Sequence, residues 1–139
     1  MITIRAATGA DAPAVARLLG QLGYSVTPAE AAIRLAQLPP ATDPVWLATQ
    51  GDTALGLIAL HRGPMLHVAG EAARITVLIV DPTARRQGIA ASLLAHASAW
   101  AADCAVLELT TGLQREDAHA FYRAQGFTAN ALRFKLGSA

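Results

Sequence analysis

The chain has 139 residues, 53% of them hydrophobic and 5% aromatic, and carries a formal net charge of +1 at pH 7. This is the length of a single domain, expected to span residues 1–139, with a core resting on Ala, Leu, Val and Ile. The balanced charge argues against nucleic acid or a membrane surface as partner, and no apolar run approaches the roughly 20 residues that span a bilayer.

Met1-Ile2-Thr3-Ile4-Arg5 alternates like a strand and has no signal-peptide pattern, so the expected location is the cytoplasm. Thr8 or Asp11 can cap a following helix whose apolar face is Val15, Leu18, Leu19 and Leu22. Thr27-Pro28-Ala29-Glu30 opens a second helix with a capping threonine, an early proline and a glutamate three residues on. Ile33, Leu35, Ala36 and Leu38 carry that helix to Pro39-Pro40. Val45–Thr49 and Thr53–Leu60 read as strands joined at Gln50-Gly51-Asp52, and His61-Arg62-Gly63-Pro64 is expected to break the second. Ile75–Val80 is a long apolar strand, and Asp81-Pro82-Thr83 turns out of it.

A helix is expected from about Arg86 to Ala102, with Ile89, Leu93, Leu94, Ala97 and Trp100 near one face. Cys104, the one cysteine, excludes an intrachain disulfide, offers no metal cluster and reads as a buried structural thiol. Ala105–Thr110 reads as a buried strand, Glu116-Asp117 opens a last helix that Gly126 ends, and Leu132, Phe134 and Leu136 alternate as a final strand. The element order predicts an α/β (α+β) mixed sheet with antiparallel N-terminal strands. A right-handed parallel crossover runs from Ile75 to Thr110, and helices cover both faces.

Between the long strand and the central helix lies Arg85-Arg86-Gln87-Gly88-Ile89-Ala90. A strand, a short basic loop and a helix beginning at glycine form an anion site: first-turn N–H groups are free and the helix dipole favours negative charge. Gly88 permits close approach, and Arg85 and Arg86 can add charge-assisted hydrogen bonds. A basic helix cap is the alternative reading of these residues alone.

The order of that strand, Arg85-x-x-Gly88-x-Ala90, the helix, strand Leu107–Thr110, then Ala118-His119-Ala120-Phe121-Tyr122 and Gly126-Phe127 resembles the GCN5-related N-acetyltransferase (GNAT) family from about Arg74 to Phe127. The resemblance implies a single acetyltransferase domain whose parallel central strands splay at the cofactor site. It implies acetyl-CoA as co-substrate, with its pyrophosphate on residues 85–90 and its pantetheine arm along the backbone of Leu78, Ile79 and Val80. It also implies a primary amine as acceptor, in a small molecule, peptide or protein, and no metal. Tyr122 would lie near the thiol as general acid, since a phenol of pKa about 10 is protonated at neutral pH. Arg115 stands where many members have an asparagine; it would reach a phosphate or the pantetheine, or be a solvated helix start.

The general base is open. Glu108, inside an otherwise apolar strand, would be a base, a binder of a cationic amine, or half of a structural ion pair. Glu71, His61 and His67 are weaker candidates on segments that could line the acceptor groove, and His119 reads as structural. The resemblance allows a homodimer, with Ala131–Leu136 as an open edge. A non-catalytic acyl-CoA-binding regulatory domain would need the loop but not Tyr122. A nucleotide-binding domain is disfavoured because no Walker lysine-Ser/Thr pair follows Gly88.

Overall fold

The computed structural model describes residues 1–137, which divide into two compact units, one ending at Glu108 and one starting at Leu109. In the first, β1 (Thr3–Ala6), α1 (Ala12–Gln21) and α2 (Pro28–Gln37) precede β2 (Val45–Gln50), β3 (Thr53–Pro64) and β4 (Glu71–Val80). After α3 (Ile89–Trp100), β5 (Val106–Leu109) completes a sheet of order β1-β2-β3-β4-β5. Strands β1 to β4 pair antiparallel and β5 runs parallel to β4, the mixed sheet that the element order predicts.

Strand residues alternate between faces, and the two faces have different partners. Leu47, Leu57 and Ile79 share a buried core with Ala12, Val15, Ala16 and Leu18 of α1 and Ala31 of α2. The opposite face meets α3. At Gly56 of β3 an added Cβ would stand 2.9 Å from Ile89 Cγ2, 3.1 Å from Leu93 Cδ1 and 3.2 Å from the Ile79 carbonyl oxygen. A side chain at residue 56 would push the start of α3 off the sheet. The expected face of α3 holds: Ile89, Leu93, Leu94 and Ala97 are buried.

The second helix starts as its sequence signature predicts. Thr27 Oγ1 accepts from the Glu30 N–H, and Glu30 Oε1 accepts from the Thr27 N–H, each at 3.1 Å. Its apolar face is narrower than expected: Ala31 is buried, but Ile33 and Leu38 are exposed, as is Leu22 at the end of α1.

Three expected elements differ. His61-Arg62-Gly63-Pro64 does not break β3, which pairs through Pro64 opposite Glu71, so β4 begins four residues before Ile75. Arg62 accounts for this: its guanidinium bonds Glu71 Oε1 at 2.8 Å, Asp103 Oδ2 at 2.9 Å and the Trp100 carbonyl at 3.2 Å, and lies 4.9 Å over the Trp100 ring. Met65 and Leu66 lie exposed in the turn beyond. Strand β5 is shorter than expected and not buried: Val106 and Glu108 are exposed. Cys104 is half-buried, with its thiol pushed up by burial.

In the second unit, α4 (Glu116–Ala124) begins with two acidic residues as expected, and Gly126, at φ 96°, ends it. The expected final strand is not formed among the described residues. Residues 128–135 are in neither helix nor strand, and Leu132, Phe134 and Leu136 are exposed. Alternation gives a segment one apolar side, but a strand also needs a place in a ladder, and the described sheet consists of β1 to β5.

Candidate active site

The loop after β4 is built from its buried anchor outward. Asp81, only 7% exposed, donates its N–H to the Leu55 carbonyl at 2.7 Å, tying the end of β4 to β3. Its carboxylate accepts from the Thr83 N–H at 2.9 Å, the Thr83 hydroxyl at 2.7 Å, Gln21 Nε2 at 3.2 Å and Arg17 Nη1 at 2.6 Å. Arg17 also holds the Ala54 carbonyl at 2.7 Å, so α1 braces both β3 and the loop. The Thr83 N–H, then its hydroxyl, Gln21 and Arg17 hold the Asp81 carboxyl well below the usual carboxylate range.

A carboxyl lowered in the folded state contributes stability above its unfolded pKa and loses it as pH falls. The loss therefore begins near 3.8 and deepens below it. Asp11 adds to it, since the Arg5 guanidinium and the Thr8 N–H hold it down to about 2. Tm is expected to fall steeply below pH 4, and Asp81→Asn to flatten that fall while lowering Tm at pH 7. Thermal melts from pH 2 to 7 read both; parallel profiles for the two proteins would refute the assignment.

Beyond a short turn at Pro82–Ala84, Arg85 to Gly88 are exposed and Ile89 is buried, so the loop is pinned at Ala84 and Ile89. Arg86 has φ 67° and Gly88 φ 73°, both left-handed, with Gln87 between them at negative φ. Successive N–H groups in such a turn are suited to forming an anion-binding nest. Among the described residues, no hydrogen bond uses the main-chain N–H groups from Arg86 to Ala91 as donor, whereas the Ser92 N–H already closes onto the Gly88 carbonyl at 3.0 Å. A left-handed arginine costs about 1–2 kcal/mol, and such strain collects at binding loops. The donor set of consecutive amides with two flanking guanidiniums fits a diphosphate. The side chain of Ile89 is spent in the core, leaving its amide for a ligand.

Leu78, Ile79 and Val80 pair with Ile58, Leu57 and Gly56 of β3. Strand β5 begins level with the start of β4, where the Ala105 N–H bonds the Glu71 carbonyl at 2.8 Å, and it has four residues against ten in β4. Alternate residues of β4 direct N–H and C=O groups to the edge away from β3.

In the second unit, Tyr122 is half-buried, its ring edge-on to Phe121 at 5.4 Å and Phe127 at 6.0 Å between centroids. Burial pushes its phenol above 10, against a smaller opposing pull from the Arg115 charge. Arg115 thus bears on the tyrosine, a role that its place at the start of α4 did not disclose. His119 is structural as expected: Nε2 lies 2.7 Å from the Gly112 carbonyl, which accepts, so Nε2 carries the proton. Glu108 is exposed, and among the described residues none of the ion pairs includes it. Glu71 is spent on Arg62 and His61 bonds Asp43 at 2.8 Å, which accounts for both without catalysis, while His67 lies exposed in the turn after β3. Sequence reasoning missed Arg17, Gln21 and Gly56. A glycine inside a strand pattern was the available signal for Gly56.

The parallel pair β4–β5, followed by a loop suited to an anion, is the frame that carries the candidate site. The chain belongs to the acetyltransferase (GNAT) family, whose family model matches residues 14–127. It is 38% identical over 90 residues to an aminoalkylphosphonate N-acetyltransferase of Salmonella typhimurium, a match covering 63% of this chain and 58% of that protein. The chain thus spans little more than half of that relative's length. A Bacillus halodurans protein described as a transcriptional regulator superposes with a TM-score of 0.89 at 26% identity, covering 99% of this chain and 100% of that one. A Trypanosoma brucei acetyltransferase shares the fold, with a TM-score of 0.87 at 20% identity over 99% of this chain and 100% of its own.

Proposed function

We propose that residues 1–139 act as one cytoplasmic catalytic domain that transfers an acetyl group from acetyl-CoA to a primary amine. The observation that carries this reading is the run of N–H groups from Arg86 to Ala91 without acceptors among the described residues, beside two exposed arginines. When bound, acetyl-CoA supplies an activated thioester. Residues Arg85 to Ala90 hold its diphosphate, and the outer backbone edge of Leu78, Ile79 and Val80 takes its amide arm like an added strand, with one N–H stabilising the oxyanion. The amine nitrogen bonds to the acyl carbon, the carbon–sulfur bond breaks, and Tyr122 gives its phenolic proton to the departing sulfur. Glu108, an exposed carboxylate, draws in the cationic amine and takes its proton. Arg115 adds positive charge for the cofactor.

The name of the Salmonella relative makes aminoalkylphosphonates the first acceptors to test, beside polyamines and peptide amines. Release of CoA thiol with any of these supports the transferase. Calorimetric binding of CoA without turnover across the panel favours the regulatory reading, which the Bacillus halodurans neighbour's description also favours.

Arg86→Ala and Arg86→Gly are both expected to weaken CoA binding by about 10- to 100-fold, the loss of one charge-assisted hydrogen bond. Glycine suits φ 67° and keeps the loop, so equal weakening assigns the effect to the charge. Wild-type affinity in Arg86→Gly would sink that assignment.

A further inference from the structure

Resting on the reading of residues 85–90 as a diphosphate loop, we propose that Arg17 of α1 is a positioning residue that acts through Asp81. Its charge cancels that of the carboxylate shaping the loop, which therefore does not repel the coenzyme diphosphate. Both residues and the loop belong to the first unit.

The Asp81 carboxylate divides its oxygens between two elements. Oδ1 accepts from the Thr83 N–H at 2.9 Å and the Thr83 hydroxyl at 2.7 Å, which fixes the turn leading into the loop. Oδ2 accepts from Arg17 Nη1 at 2.6 Å and Gln21 Nε2 at 3.2 Å, both on α1. The Thr83 and Gln21 donors are neutral, so they fill lone pairs and leave the negative charge in place. Among the described ion pairs, Arg17 is the cation that meets Asp81. Its Nη2 holds the Ala54 carbonyl at 2.7 Å, which fixes the guanidinium beside the carboxylate. An asparagine at residue 81 would satisfy Thr83 with its oxygen but turn an amide donor toward the donors of α1. The site thus calls for a carboxylate, and with it a negative charge.

That charge stands close to the anion site. The 3-10 turn Pro82–Ala84, rising about 2 Å per residue, puts Arg85 within roughly 10 Å of Asp81, about one Debye length at physiological salt. The Asp81 side chain is nearly buried, and the protein around it screens less than water. Left unpaired, the carboxylate would offset the attraction of one loop arginine for a diphosphate. Paired with Arg17, it leaves the exposed Arg85 and Arg86 to act on the ligand undiminished.

Calorimetry with CoA and with inorganic pyrophosphate tests this. Arg17→Gln drops the charge and keeps an N–H donor; it is expected to bind both ligands about tenfold more weakly, the effect of one unit charge at that range. Arg17→Lys keeps the charge and is expected to bind close to the wild type. In Arg17→Gln/Asp81→Asn the pair is neutral, and the glutamine carbonyl can accept from the asparagine amide. This double variant is expected to recover wild-type affinity with neither charge present. A purely structural brace predicts the opposite, since the second substitution would then add to the damage. Thermal melts check that each protein is folded at the assay temperature. Unchanged affinity in Arg17→Gln overturns the proposal, and so does a double variant that binds no better than Arg17→Gln. If Arg17→Gln does not fold, the other two variants carry the test, because weak binding by either overturns the charge account. Wild-type protein that gives no heat with either ligand removes the diphosphate reading, and the proposal with it. Heat with the wild type that is matched by Arg17→Gln removes only the role of Arg17.

Discussion

Tyr122→Phe is expected to lower kcat by about 10²- to 10⁴-fold and leave the KM for acetyl-CoA nearly unchanged, the range for loss of a general acid. The substitution is clean because the ring is held by Phe121 and Phe127, and phenylalanine keeps both edge-on contacts. Only the proton is lost. The pH profile gives a second check. Burial raises the phenol above 10, so the alkaline limb of kcat should fall above that pH. Arg115 opposes the rise, so removing its charge in Arg115→Ala should move the limb higher still. Steady-state kinetics from pH 7 to 11 with a saturating amine read all of this. Full activity of Tyr122→Phe across that range would end the proton-donor role and leave the tyrosine as packing.

Legibility in this chain follows the distance between a residue and whatever decides its conformation. The capping box at Thr27–Glu30, the Gly51 turn and the apolar face of α3 are governed within a few residues, and all were readable. The β3–β4 hairpin was misread because Arg62 is held by Trp100 and Asp103, 38 and 41 residues away. A basic residue before Gly-Pro looks like the end of a strand until those partners are known. The brace under the loop was hidden for the same reason: Arg17 and Asp81 are 64 residues apart. Residues 131–136 show the converse, a local alternation right for a strand that is not among the described strands of the sheet. For the site, residue types in order sufficed to propose the loop. The left-handed Arg86 exists only in three dimensions.

Gly56→Val is expected to cost about 3 kcal/mol, at the upper end for overpacking, and to lower Tm by roughly 10 °C. The first atom of any side chain there already stands 2.9 Å from Ile89 Cγ2 and 3.2 Å from the Ile79 carbonyl. The carbonyl belongs to the β3–β4 ladder and cannot retreat, so α3 must. Ile89 is the first residue of α3, and its amide belongs to the run assigned to the diphosphate. Stability and CoA affinity should therefore fall together in Gly56→Val, and both to a lesser degree in Gly56→Ala. A double-mutant cycle separates this from general damage: Ile89→Ala removes the nearest clashing atom, so Gly56→Ala should cost less in that background than in the wild type. Melts and CoA calorimetry on the four proteins of the cycle read the coupling. Strict additivity, or CoA affinity indifferent to Gly56→Val, would show that the anion loop is set independently of the packing of α3 on β3.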